Sequence, residues 1–373
     1  MPPIVLDLHS GDDSRDVIHR AVQALAEGKI VAFPTETVYG LAASALCEPA
    51  VERLMNAKNR PAGRPLALAV RSAEEALDYV PDLSPIGQRL ARRCWPGPVT
   101  LVVEDHHGDS LVRQLPPVVQ AAVAPEGTIG FRVPAHHAIL DVLRLLAGPV
   151  VLTSANRGGQ PDAVTAQEVV AAIGDEVQFV LDDGHSRYGQ PSSVVRVYDD
   201  RFEVLRQGVV SEQTLKRLGS ALVLFVCTGN TCRSPMAEAM FRQAMADRLG
   251  CRASELEDRG VVAASAGLAA MMGGRASAES IVVLKKMGID LSSHESQPLT
   301  EQLVKHADLM LVMTRAHRQA ILNEWPDAAD RVRLVCHSGA DVADPIGGPP
   351  EMYERCAAQI KAEVAEWADE LKL

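Results

Sequence analysis

A cysteine and an arginine, Cys227 and Arg233, enclose Thr228, Gly229, Asn230, Thr231 and Cys232, and Ser234 and Pro235 follow directly. A thiol and a guanidinium at this spacing suit a tetrahedral oxyanion: the five residues between them can turn backbone N–H groups inward, and arginine's planar fork holds two phosphoryl oxygens. Inward N–H dipoles, a nearby cation and a helix end all favour the thiolate, which makes Cys227 a candidate nucleophile. Gly229 permits close backbone approach, Asn230 tolerates a left-handed conformation, and the Ser234 hydroxyl can reach Cys227. Two elements must position this loop. The apolar run Leu222–Val226 reads as a buried strand, and Ser234 followed by Pro235 reads as an N-cap with proline at the first helical position. A strand-turn-helix with two incidental cysteines is the plainer reading of the same residues. Asp344, before Pro345, is the candidate proton donor, and a simple Asp-Pro turn is its alternative.

A second group of polar residues lies in the first half. Thr35, Glu36 and Thr37 crowd the end of the strand Lys29–Phe33 within Pro34–Leu41, as a binding loop or as turn chemistry. Lys58, Arg60 and Arg64 sit in a rigid basic loop after the helix Glu48–Lys58. Arg132 lies on a later strand, and Thr153, Ser154 and Asn156 end the strand Val150–Thr153. Ser192-Ser193 and Arg206-Gln-Gly208 complete the half. A helix is expected over 14–27, another from Ser84-Pro85, and a capping box at Thr165 and Glu168.

From Leu222 onward strands and helices alternate: strands 222–226, 261–264, 309–313 and 332–335, helices 234–249, 277–287 and 315–325, and a last helix from near Pro350. That order predicts a doubly wound parallel sheet. The last helix should pack Met352, Cys356, Ile360, Val364, Trp367 and Leu371 as one stripe. Val209–Ser220 has no strong periodicity and reads as the junction, giving domains at 12–213 and 221–373.

The chain has 373 residues, 47% hydrophobic and 23% charged, with a formal net charge of −11, which disfavours tight non-specific nucleic-acid binding. Its seven cysteines form no Cys-x2-Cys pair, and no leader or membrane-length apolar run is read, so a cytoplasmic protein is expected. His106-His107 and His136-His137 are read as surface residues, and no metal site is expected.

The loop Cys-Thr-Gly-Asn-Thr-Cys-Arg-Ser-Pro resembles the active-site loop of the low-molecular-weight protein tyrosine phosphatase family, and the likeness runs from Leu222 to the C-terminus. It implies a phosphocysteine intermediate, no cofactor, phosphoprotein substrates, and Asp344 as the acid that protonates the leaving group and then activates water. Thr231, and Ile346-Gly347-Gly348 where aromatics would flank a phenyl ring, resemble the protein arginine phosphatase branch. Cys232 reads equally as a partner for a reversible disulfide with Cys227 or as a small buried thiol.

Pro-Thr-Glu-Thr-Val-Tyr-Gly-Leu, Lys-x-Arg-Pro, Pro-Gly-Pro-Val-Thr, Arg-Val-Pro, Thr-Ser-Ala-Asn and Leu-Arg-x-Gly, in this order, resemble the YrdC type of threonylcarbamoyl-AMP synthase, a concave, open, twisted α/β sheet. The resemblance implies binding of ATP with Mg2+, bicarbonate and L-threonine, pyrophosphate release, and a product used for threonylcarbamoyladenosine in tRNA, with tRNA-modification proteins as partners. It assigns Lys58, Arg60, Ser154, Asn156 and Arg206 to the nucleotide, and Thr35, Arg64, Arg132, Thr153 and Ser193 to threonine. The alternative is a nucleotide- or RNA-binding module joined to a tyrosine phosphatase.

Overall fold

The computed structural model describes residues 2–9, 14–58 and 65–371. They divide into two compact units, 1–215 and 216–373. The stretch read as a junction carries the helix Glu212–Gly219.

The first unit is built on ten strands: β1 (Ile4–Asp7), β2 (Val31–Phe33), β3 (Gly40–Ser44), β4 (Ala67–Ala69), β5 (Val99–Glu104), β6 (Thr128–Arg132), β7 (Val150–Ser154), β8 (Phe179–Asp182), β9 (Ser193–Val197) and β10 (Phe202–Arg206). They form one mixed sheet in the order β1-β8-β2-β3-β7-β4-β6-β5-β9-β10. Helices Ser14–Ala26 and His137–Leu145 cover part of it, burying Val17, Ile18, Ala21 and Leu25 together with Ile139, Val142 and Leu143 against Phe33, Val150 and Leu152. The apolar residues of the first helix recur at three- and four-residue intervals, which is why one stripe suffices. Ser84 caps its helix as expected, accepting from Gly87 N. Thr165 also caps, accepting from Glu168 N, but the Glu168 carboxylate reaches one residue further back, to Val164 N at 2.7 Å.

The second unit has four strands, β11 (Ala221–Cys227), β12 (Val261–Gly267), β13 (Leu309–Val312) and β14 (Val332–Leu334), all parallel in the order β12-β11-β13-β14. Period two divides the core. Val223, Phe225 and Leu311 pack on one face against the helices Arg233–Leu249 and Pro350–Glu370, and Leu224, Val226 and Val312 pack on the other against Val304 and Ile321. This is the doubly wound arrangement. The last helix buries Tyr353, Cys356, Ile360, Val364 and Ala368, a stripe turned slightly from the expected one, with Met352 and Trp367 at its margin.

Trp367 donates to Val335 O and stacks on His337, whose ring also meets the carboxylates of Glu363, Glu366 and Glu370. Burial works against the charged ring, but these carboxylates outweigh it and hold its pKa above the ordinary value. A raised folded-state pKa contributes stability that is present below about pH 6.5 and lost as pH rises through the folded value. The difference in melting temperature of the second unit between about pH 6 and pH 8 should therefore shrink in His337→Gln. An unchanged difference would mean that the cluster is silent.

Candidate active sites

β11 is the strand from which the chain crosses first to one side of the sheet and then to the other, so its carboxyl end is the switch point where doubly wound sheets place their ligands. Cys227 is its last residue. The helix after it begins at Arg233, with Cys232 rather than Ser234 at the N-cap. The Ser234 hydroxyl is engaged elsewhere: it lies 3.0 Å from Cys227 Sγ and accepts from Asn230 Nδ2.

Asn230 holds the loop in shape. It adopts a φ of 54° and is fully buried. Its N–H donates to Cys227 Sγ at 3.2 Å, and its Oδ1 accepts from Gln297 N. Nδ2 donates to both Ser234 Oγ and Ser265 Oγ, its carbonyl meets His294 Nε2 at 2.8 Å, and Ser265 donates in turn to Glu238. Burial pushes the Glu238 carboxyl up, and the Ser265 bond and Arg242 pull it back. Ser265, His294 and Gln297 escaped the sequence reading because each lies far from the loop in sequence, and Glu238, on the helix that follows the loop, because it joins the loop only through Ser265.

Arg233 is buried. Its Nη1 donates to Val342 O, its Nη2 meets the Asp344 carboxylate, and its Nε has no partner among the described residues. Nε and Nη2 form the edge of the guanidinium that matches two phosphoryl oxygens. Asp344 is 40% exposed at its side chain, so this candidate proton donor sits where solvent and a leaving group can reach it. Cys232 is buried with its sulfur 3.9 Å from Tyr353 Oη, and Thr231 receives the Ser277 N–H at its carbonyl. Thr228 is exposed at the mouth, and Ile346 is exposed two residues beyond Asp344.

Among the described residues, a Cβ on Gly229 would meet only Thr231 Oγ1, at an ordinary 3.6 Å, whereas a Cβ on Gly267 would lie 2.6 Å from Thr228 O and 2.9 Å from Asn230 N. The close approach that shapes the loop is therefore made by β12. Gly267→Ala should push the loop outward and lower phosphatase kcat/KM by about 10²-fold, since a displacement near 1 Å costs that much in a positioned site. A fully active Gly267→Ala enzyme would show that the loop tolerates the shift.

In the first unit the candidate site spreads over one face of the sheet. Thr100 and Val102, Gly130 and Arg132, and Leu152 and Ser154 occupy alternate positions on β5, β6 and β7 and share that face, with Ala67 of β4 between them. They floor a cleft of about 360 Å³ whose rim includes Thr35, Lys58, Thr153, Asn156, Ser192 and Arg206. Lys58, 4% exposed, donates to Ser154 O at 2.6 Å and to Asn156 Oδ1 at 2.7 Å, and lies 3.4 Å from Ser154 Oγ. One ammonium thus ties together three residues assigned to the nucleotide.

Arg132 is buried beside Thr35, Glu36 and Thr37; its Nη2 donates to Glu36 Oε1 at 2.9 Å and Thr37 Oγ1 at 2.7 Å, while its Nε is enclosed without a partner among the described residues. Glu36, as the counter-ion of Arg132, was not singled out in the sequence. Arg206 donates to Ser192 O and Ser192 Oγ, and burial lowers its pKa from the ordinary value. Ser193, assigned to threonine, is fully buried and its hydroxyl is taken by Val210 O, Gly208 N and Val210 N. Its neighbour Ser192 is the serine on the cleft wall. Arg60 and Arg64 lie outside the described residues.

Of the paired histidines read as surface, His136 is largely buried: it caps its helix and lies 3.1 Å from Asp183. Burial lowers its pKa, and Asp183 opposes that.

Comparison with known proteins separates the same two regions. Residues 23–208 match the Sua5_yciO_yrdC family, described as telomere recombination, and residues 222–373 match the low molecular weight phosphotyrosine protein phosphatase family. A threonylcarbamoyl-AMP synthase of Pyrococcus abyssi is 34% identical over 201 residues, 54% of this chain and 56% of that protein, so the chain spans about half the length of this relative. A putative threonylcarbamoyl-AMP synthase of Mycobacterium tuberculosis is 33% identical over 202 residues, 54% of this chain and 88% of the relative. A protein-arginine-phosphatase of Bacillus subtilis is 38% identical over 154 residues, 40% of this chain and 96% of the relative. With the strand-loop-helix around Cys227 in one unit and the Lys58, Ser154 and Asn156 cluster in the other, the chain belongs to the Sua5_yciO_yrdC family through its first half and to the low molecular weight phosphotyrosine protein phosphatase family through its second.

Proposed function

We propose that the chain is a bifunctional enzyme whose first half makes L-threonylcarbamoyl-AMP from threonine, bicarbonate and ATP for tRNA modification, and whose second half is a cysteine phosphatase acting on protein phosphoarginine. For the second half, the observation that carries the reading is the joining of Cys227, Arg233 and Asp344 in one site. Arg233 meets Asp344 through Nη2, the edge a phosphoryl group would occupy. An entering phosphoryl takes that edge and releases the carboxyl toward the leaving group. Cys227 attacks phosphorus, Asp344 donates a proton to the departing nitrogen, and the same group then draws a proton from the water that hydrolyses phosphocysteine. Thr231 on the loop, Ile346 at the mouth, and the 38% identity to an arginine phosphatase favour phosphoarginine. The comparison of kcat/KM on matched phosphoarginine and phosphotyrosine peptides decides this; a clear preference for phosphotyrosine contradicts the assignment.

In the first half the cleft joins Lys58, Arg132 and Arg206, cations that suit a polyphosphate and a carboxylate, with hydroxyls and amide oxygens that suit an amine. Lys58 with Ser154 and Asn156 would hold the nucleotide, and Thr35, Thr153 and Arg132 the amino acid. Among the described residues no carboxylate lines this cleft, so magnesium would enter on the nucleotide phosphates and neutralise charge there. ATP use and tRNA chemistry fit the cytoplasm, as do seven free thiols, and no described helix is long and apolar enough to cross a membrane. Incubation with ATP, Mg2+, threonine and bicarbonate should give threonine-dependent pyrophosphate. Nucleotide binding without turnover would make this half a binding module instead.

A further inference from the structure

His317 lies in the first turn of the helix Arg315–Glu324 and is 7% exposed. Its Nε2 is 2.9 Å from Thr228 Oγ1, and its Nδ1 is enclosed with no partner among the described residues. Two neutral tautomers are open to such a ring, and the orphaned atom chooses between them. A buried N–H without an acceptor costs more than a buried lone pair without a donor, so the proton sits on Nε2 and is donated to Thr228. Burial, and then the charge of Arg233, hold the ring's pKa below its ordinary value, against the pull of Asp344 and Asp341. The ring therefore stays neutral at neutral pH.

Thr228 follows the nucleophile directly and is exposed. Its Oγ1 is also 3.5 Å from Arg233 Nη2, the same nitrogen that meets Asp344. The hydroxyl and the proton donor thus flank one edge of the guanidinium, on the side from which the expelled group must leave. When a phosphoryl group draws Arg233 away, His317 still fills one lone pair of Thr228, and a second lone pair becomes available beside Asp344. We propose that Thr228, fixed by His317, is a leaving-group contact of the phosphatase site that accepts a hydrogen bond from a guanidinium N–H. This rests on the phosphoarginine reading above. A guanidinium leaving group presents N–H donors in one plane, and a phenolic one presents none. Thr228 touches the substrate; His317 is a positioning residue.

The test is steady-state kinetics of the wild type, Thr228→Val, His317→Leu, the double variant and His317→Gln, on a phosphoarginine peptide and on p-nitrophenyl phosphate. Thr228→Val should lose about tenfold in kcat/KM on phosphoarginine, the loss of one hydrogen bond, and clearly less on p-nitrophenyl phosphate. His317→Leu should show the same selective loss, the double variant no further loss, and His317→Gln, which keeps an N–H donor, a partial recovery. Equal losses on both substrates would mark a merely structural pair and overturn the proposal, as would no loss at all. A wild type without phosphoarginine turnover would overturn the phosphoarginine reading and this one with it, whereas wild-type turnover with unselective variants would overturn the subsite alone.

Discussion

The Cys227→Ser variant is expected to lose phosphatase turnover by about 10⁴-fold or more while remaining folded. The exchange is nearly isosteric, and the buried site offers the serine oxygen the contacts that now reach sulfur, from Asn230 N at 3.2 Å and from Ser234 Oγ at 3.0 Å. What changes is the nucleophile: an aliphatic hydroxyl is a far weaker acid than a thiol, and the described residues that meet this position, Asn230 N and Ser234 Oγ, include no base to deprotonate it. Arg233→Lys should fall by about 10²–10³-fold, because a point charge cannot reproduce the two-pronged edge formed by Nε and Nη2. Melting temperature checks the folding of both variants. Substantial turnover by Cys227→Ser would remove sulfur from the mechanism.

The second large effect is expected in the first half. Lys58→Met should lower threonine-dependent pyrophosphate release by about 10²–10³-fold, the scale of losing a preorganised cation beside the reacting α-phosphate in adenylyl transfer. It also removes the donor shared by Ser154 O and Asn156 Oδ1, so part of the loss comes from the cluster losing its shape. Asn156→Ala separates the contributions: it keeps the ammonium and its bond to Ser154 O while removing one acceptor, and it should retain more activity than Lys58→Met. Equal, small losses in both variants would place nucleotide binding elsewhere.

How far these sites were legible follows from where their information lies along the chain. The loop from Cys227 to Arg233 is contiguous, so residue types and spacing were enough to single out Cys227, Arg233 and their neighbours as candidates, and the alternation after Leu222 set the doubly wound sheet, because parallel strands buried on both faces read as apolar runs. The N-cap was placed two residues late, at Ser234 instead of Cys232, because Ser234 looks like a cap; tertiary use of its hydroxyl outweighs the capping preference. In the first half, β3 was not read as a strand. Its residues, Gly-Leu-Ala-Ala-Ser, are small and fully buried, without the β-branched alternation that marks a half-exposed strand. Ser192 and Ser193 are adjacent and chemically identical, and the close packing of residues 206–210 on them decides which of the two lines the cleft. A Cβ on Gly208 would lie 2.2 Å from Pro191 O, which shows how tight that approach is. The pairing of Glu36 with Arg132 and the place of His317 beside Thr228 gave no local signal, since the partners are about 90 residues or more apart in sequence.

A phosphorylated enzyme is the species on which the phosphatase account stands. In Asp344→Ala acting on p-nitrophenyl phosphate, whose leaving group departs without a proton, the first step continues while hydrolysis of the intermediate loses its base. Acid-quenched intact-mass analysis followed by peptide mapping should then find one phosphoryl group per chain, on Cys227. Turnover with no phosphorylated enzyme, or with the phosphoryl group on another residue, would contradict the account.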